Sequence, residues 1–260
     1  MTTSRVSSPQ GLRPRTGYRA TVRELAGAQK KAAPGSPPYS IYVNRKVGRY
    51  IAAAAHRLGL TPNMVSAISA VFTMSGIVLI ATVTPQWWLG LLVWAALAVG
   101  YAFDSADGQV ARLRGGGSAA GEWLDHVLDS LKISSLHLAV LITAYRHFNL
   151  DTPAWLLVPI GYAIVAAVSF FSMILNDQLK TIHALRSGTA AKPKTAAGRS
   201  VLKTLLLVPT DYGVLCLIFL FLGAPFVFFA LYTALFVANA GHLLLASTKW
   251  FRDMRGLDSK

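Results

Sequence analysis

The sequence predicts an all-α integral membrane protein, with six transmembrane helices preceded by an amphipathic helix on the cytoplasmic leaflet. Three observations carry that expectation. Of 260 residues, 53% are hydrophobic and 14% charged, whereas soluble domains carry about 25% charged residues. Six apolar stretches reach the ~20 residues that a ~30 Å hydrocarbon core demands of a helix. The basic residues behind the net charge of +14 gather ahead of, between and after those stretches, not in one patch.

Residues 1–40 are polar and basic, and Pro34, Pro37 and Pro38 punctuate them. They lack the apolar core of a cleavable signal and are expected to form a largely disordered tail, within which Thr21–Lys31 can make a short surface helix. Ile41–Leu58 then mixes Ile41, Val43, Val47, Tyr50 and Ile51 with Arg45, Lys46, Arg49 and Arg57. That mixture suits a juxtamembrane helix over 41–58, lying on anionic lipid. Gly59 ends it, Thr61 offers an N-cap and Pro62 suits the first position of the next helix.

The spans are expected at 63–83, 87–107, 121–145, 153–175, 204–222 and 225–248, so that one membrane domain covers 41–260. Thr84–Gln86, His147–Thr152 and Gly223–Ala224 form short connections without lysine or arginine. The other connections carry Arg112 and Arg114, then Lys180, Arg186, Lys192, Lys194, Arg199 and Lys203, and Lys249, Arg252 and Arg255 follow the last span. By the positive-inside rule both termini face the cytoplasm of a multi-pass cell-membrane protein. This charge pattern also suits anionic lipid, and no nucleic-acid motif accompanies it. The lone Cys216 excludes an internal disulfide and a thiolate metal cluster.

Against this apolar background, acids crowd the seam between the second and third spans. Asp104, Asp107, Gly108 and Ala111 recur at intervals of three and four and share a helix face; Asp125 and Asp129 lie one turn apart on the next helix. Arg114-Gly115-Gly116-Gly117-Ser118 supplies a flexible turn between them. Four neighbouring carboxylates repel one another unless cations compensate them. All-oxygen ligation favours Mg²⁺, Mn²⁺ or Ca²⁺. Gly108 and Ala111 leave room for a ligand, and Arg112 can fork onto phosphate oxygens. Asp129, deepest along the third span, is the candidate general base. An acid-lined proton or cation pathway is the alternative, but such a pathway places ionisable groups near mid-bilayer in several spans. A non-enzymatic scaffold would need none of these spaced acids.

At these residues the chain resembles the CDP-alcohol phosphatidyltransferase family, whose signature is D-x2-D-G-x2-A-R-x8-G-x3-D-x3-D. Asp104, Asp107, Gly108, Ala111, Arg112, Gly121, Asp125 and Asp129 match every fixed position. The resemblance implies transfer of a substituted phosphate from a CDP-linked alcohol to an acceptor alcohol, releasing CMP, with at least one of the two a lipid. It implies that Asp104, Asp107 and Asp125 hold two Mg²⁺ or Mn²⁺ ions, and that Asp129 joins the metal site and acts as base. It further implies that Asp104, Asp107, Gly108 and Ala111 line the CDP site while Arg112 meets the diphosphate. Family members are commonly homodimers.

The surroundings of the signature bear on the two alcohols. Gly121-Glu122, Asp125-His126 and Asp129-Ser130 are similar to the wording of choline/ethanolamine phosphotransferases, which join a soluble CDP-alcohol to diacylglycerol. Other branches use CDP-diacylglycerol. An inositol-phosphate enzyme typically has an E-R-x-E/D-R-like segment entering the fifth span, where this chain reads Gly198-Arg199-Ser200-Val201-Leu202-Lys203. That difference counts against an inositol phosphate acceptor. Ser130 and Lys132 likewise depart from the phosphatidylglycerophosphate and phosphatidylserine synthase patterns. His126, Lys132 and Asp211 are candidates for the acceptor site. Lys132 could meet a phosphate or carboxylate or snorkel to lipid headgroups; Asp211 could contact substrate or close a hydrogen-bond network. His242, on the apolar sixth span, is expected to be packed.

Overall fold

The computed structural model describes residues 17–27, 37–188 and 207–258, and every regular element in them is helical. Helix α1 spans Tyr18–Gly27. A π-helical turn, Ser40–Asn44, leads into α2, Arg45–Arg57. The long helices follow: α3 (Pro62–Thr82), α4 (Trp87–Leu113), α5 (Ala119–His147), α6 (Leu157–Arg186) and, after the short α7 (Tyr212–Ile218), α8 (Pro225–Asp258).

Among the described residues, five helices are long and apolar enough to cross a membrane: Pro62–Thr82, Trp87–Leu113, Ala119–His147, Pro153–Arg186 and Pro225–Leu257. The chain is thus an all-α, multi-pass membrane protein. Where a span was expected at 204–222, the described residues 207–222 do not form one continuous helix. Residues 204–206 lie outside the described residues, and the rest holds only the apolar helix Tyr212–Phe221. Pro209 sits in a 3₁₀ turn, Val208–Thr210, and Asp211 restarts the chain as N-cap of α7. At 1.5 Å per residue, Tyr212–Phe221 reaches about 15 Å, half the hydrocarbon core. The later helices run longer than expected, because Lys180 and Arg186 extend α6 and Lys249, Arg252 and Arg255 extend α8.

The restart after α2 forms as anticipated. Gly59 takes a left-handed φ of 78°, Thr61 is extended and accepts a hydrogen bond from Met64 N at 3.2 Å, and Pro62 opens α3. Arg114, just past α4, donates to the carbonyls of Gly59 and Leu60 at 2.8 and 2.9 Å and ties this restart to the glycine turn. Helix α2 presses Gly48, Ala52, Ala53 and Ala55 inward, and its Val47 and Tyr50 face out with Tyr42 and Val43 of the preceding turn. Within the basic segment, α1 packs on α2 and contributes Leu25 to a buried cluster that includes Ala52, Ala53 and Val110.

Helix α3 is the common neighbour of α4 and α5; α6 packs on α5, and α8 on α6. Small residues bring α3 and α4 together, the usual means where lipid removes the hydrophobic drive. Ser69 Oγ donates to the Gly100 carbonyl at 2.8 Å, and a Cβ at Gly100 would collide with Thr73. The main core joins Leu89, Leu97, Leu136, Phe219, Phe228 and Tyr232. The packed histidine is His137, not His242, which is exposed on α8. His137 stacks on Tyr162 with centroids 4.0 Å apart, and its Nδ1 lies 2.6 Å from Tyr232 Oη.

Candidate metal and phosphotransfer site

Helix α4 carries Asp104, Asp107, Gly108, Ala111 and Arg112 in its last three turns, and α5 carries Asp125 and Asp129 in its first three. The chain reverses between them because Gly115 and Gly116 adopt φ of 96° and 137°, which favour glycine. Ser118 then caps α5, its hydroxyl accepting from Gly121 N at 3.1 Å.

This reversal brings three of the four aspartates together. One carboxylate oxygen each from Asp104, Asp125 and Asp129 lies within 4.8 Å of the other two. Asp107 turns instead toward α3. Ser66 Oγ donates to its Oδ2 at 2.5 Å, and the Gly108 N–H to its Oδ1 at 2.5 Å. Ser66 was not anticipated; the available signal was its spacing of three from Ser69 on an otherwise apolar helix.

Lys132 is buried and does not snorkel. Its Nζ donates to Asp104 and lies 2.8 Å from Asp129 Oδ1. A cation thus already stands among the oxygens, as the repulsion of neighbouring carboxylates requires. The donor set suits a hard divalent ion: all the convergent groups are carboxylates, and no sulfur or imidazole is among them.

The two signature glycines differ in purpose. A Cβ at Gly108 would meet only Arg112 Nη1, at 3.8 Å, so this face of α4 is open and the guanidinium borders the opening. A Cβ at Gly121 would press on Ser118 Oγ and Asn63 Oδ1, at 3.2 and 3.3 Å, so this glycine serves the contact between the starts of α3 and α5. Ala111 is buried beside them.

The remaining candidates, His126 and Asp211, make other contacts. His126 faces α6, edge-on to Phe170, and lines an apolar groove of ≈ 360 Å³ with Trp123, Ser130 and Phe171. Asp211 is 1% exposed and holds three backbone N–H groups. Its Oδ1 accepts from Gly213 at 3.1 Å, and its Oδ2 from Tyr39 at 2.6 Å and Ser40 at 3.3 Å. It therefore closes a hydrogen-bond network between α7 and the segment before α2. Beside that junction Tyr39 stacks on Tyr101, and Tyr101 meets Tyr212 edge-on.

Residues 59–238, more than half of the chain, match the family model described as CDP-alcohol phosphatidyltransferase. The chain belongs to this family. Among curated proteins, a phosphatidylinositol phosphate synthase of Corynebacterium glutamicum is 35% identical over 113 residues, 43% of this chain and 48% of the relative. One of Mycolicibacterium smegmatis is 32% identical over 110 residues, 42% of this chain and 46% of the relative. The chain thus spans about half the length of the curated relatives it matches. A solved Mycobacterium tuberculosis phosphatidylinositol phosphate synthase, in complex with manganese and citrate, aligns at 18% identity and a TM-score of 0.48, covering 77% of this chain and 87% of that one.

Proposed function

We propose that this CDP-alcohol phosphatidyltransferase family member transfers a substituted phosphate from a CDP-linked alcohol to an acceptor alcohol and releases CMP, in phospholipid synthesis. The convergence of Asp104, Asp125 and Asp129 within 4.8 Å carries the reading. Family membership favours group transfer over the transport alternative.

Asp104, Asp125 and Asp129 would hold the divalent ion, Mg²⁺ or Mn²⁺, and Asp107 would join them where a second is bound. When bound, the metal supplies Lewis-acid polarisation of the donor's diphosphate and neutralises charge on departing CMP. Gly108 and Ala111 leave clearance for the nucleotide, and Arg112 at the edge of that opening engages diphosphate oxygens as a planar fork. Asp129 takes the acceptor's hydroxyl proton as its oxygen attacks the β-phosphorus; the new P–O bond forms as the bond to CMP breaks. Ser66 holds the Asp107 carboxylate toward α3.

Two pairings of alcohols have specific support. The name phosphatidylinositol phosphate synthase, carried by the curated relatives, points to an inositol phosphate acceptor, which would be paired with CDP-diacylglycerol as in other branches of the family. The wording Gly121-Glu122, Asp125-His126 and Asp129-Ser130 points to a soluble CDP-alcohol with diacylglycerol, and the apolar groove beside His126 suits an acyl chain. The segment 198–203, which bears on this choice, lies outside the described residues. The basic residues that follow α4, extend α6 and α8 and precede α3 support cytoplasmic termini and an active site on that side. The outward face of α2 supports its lying on the leaflet surface. A homodimer is the assembly this reading expects.

The deciding experiment measures CMP release by the purified protein in lipid nanodiscs, across both pairings, with product mass analysis. The reading expects release with one pairing, its loss on rigorous chelation, and nearly complete loss in Asp129→Asn with nucleotide binding largely kept. Turnover that survives chelation defeats the metal role. Transfer close to wild type in Asp129→Asn defeats the base assignment.

A further inference from the structure

We infer that Lys132 is a resident counterion of the carboxylate cluster, which a divalent ion must displace from Asp104 and Asp129 in order to bind. The inference rests on the metal reading above. Lys132 belongs to none of the eight signature positions, yet it is the side chain that joins the two halves of the signature. Its ammonium bonds Asp104 of α4 and Asp129 of α5, the latter at 2.8 Å. Only 8% of the residue is exposed, so it is neither a solvated surface lysine nor one reaching for lipid headgroups.

The placement follows from helix geometry. Lys132 stands three residues after Asp129, on the same face, and side chains of a helix lean toward its N-terminus. The N-terminal end of α5 is where Asp125 and Asp129 meet α4, so the lysine stem points back into the site. There its ammonium does electrostatically what a metal ion would do. Asp104, Asp125 and Asp129 contribute three negative charges and Lys132 one positive, which leaves a deficit of two. One divalent ion balances it.

Both cations draw on the same two carboxylates: a hard divalent ion seeks oxygen ligands, and Lys132 already holds one oxygen of Asp104 and one of Asp129. Even moved aside, the ammonium repels an incoming ion across a few ångströms. Lys132 therefore weakens metal binding while it keeps the metal-free cluster from repelling itself apart. Once displaced, its ammonium is released beside the reaction centre, where a phosphate oxygen of substrate is its natural next partner.

The test is a Mn²⁺ titration of the purified full chain without nucleotide, reading free Mn²⁺ by electron paramagnetic resonance. Lys132→Met is expected to bind Mn²⁺ about tenfold tighter than wild type or better, and Lys132→Arg, which keeps the charge, close to wild type. Equal or weaker affinity in Lys132→Met, with wild type binding normally, overturns the inference and leaves the metal reading intact. Absence of Mn²⁺ binding in both proteins overturns the metal reading as well. Where Lys132→Met does not fold, Lys132→Gln is compared with wild type by thermal unfolding with and without Mn²⁺. A larger Mn²⁺-induced rise in the variant is expected, and an equal or smaller rise overturns the inference.

Discussion

Replacing Asp211 with alanine removes, in one step, the acceptor of three backbone N–H groups in a buried junction. Gly213 N, at 3.1 Å, loses its helix cap; such a loss costs about 0.5–2 kcal/mol. Tyr39 N and Ser40 N, at 2.6 and 3.3 Å, lose a charged partner. Each buried donor left unsatisfied costs about 1–3 kcal/mol, and partial hydration of Tyr39 and Ser40 lowers that figure. The sum comes to about 3–5 kcal/mol, which lowers the unfolding midpoint by on the order of 10 °C for a chain of this size. Asp211→Asn keeps one acceptor oxygen and should fall about halfway. The assay is thermal unfolding in detergent alongside proteolysis of the segment before α2, where cleavage near Tyr39 should accelerate. A midpoint within about 2 °C of wild type, together with abolished phosphotransfer, would refute the structural role and return Asp211 to the acceptor site.

Three further outcomes follow from the packing. Gly100→Val drives a branched side chain into Thr73 and toward the Ser69 carbonyl, 3.1 Å from a Cβ there; a loss of at least about 1–3 kcal/mol is expected, read as a lowered unfolding midpoint. Arg114→Ala removes two hydrogen bonds to the Gly59 and Leu60 carbonyls; because the guanidinium is exposed, about 1 kcal/mol is expected, read by chemical unfolding. Lys180→Met breaks a 2.8 Å ion pair with Asp253 between α6 and α8. Partial exposure holds that loss below about 1 kcal/mol, and raising the salt concentration should shrink it further.

Much of this architecture was legible because it depends on local chemistry. Thr61, Pro62 and Gly59 each have one comfortable backbone role, and the three were found in those roles. Gly115 and Gly116 announced the reversal that lets Asp104 meet Asp125 and Asp129. The break inside the expected fifth span was not legible from hydropathy, because a sum over 204–222 counts apolar side chains and is blind to the turn at Pro209 and the helix restart at Asp211. The partners of Lys132 and Asp107 were hidden for another reason. Spacing fixes which face a residue occupies, but not how far a four-carbon stem reaches or which neighbouring helix supplies a hydroxyl such as that of Ser66. His242 and His137 show the same limit: both lie on apolar helices, and tertiary packing alone decided which was enclosed.

The unbroken course of α4 also fixes a depth. Trp87 and Trp88 stand exposed at its start, where indole rings favour the headgroup boundary. Asp104 lies seventeen residues along the same rod, about 26 Å from Trp87, short of the ~30 Å that separates the two boundaries of the hydrocarbon core. If the tryptophans sit at one headgroup boundary, an untilted helix of this length would place the carboxylates just beneath the opposite surface. In that placement a soluble reactant would have to descend to them, while a lipid headgroup would not have to be lifted out. Thicker bilayers would submerge the acids further and thinner ones would expose them.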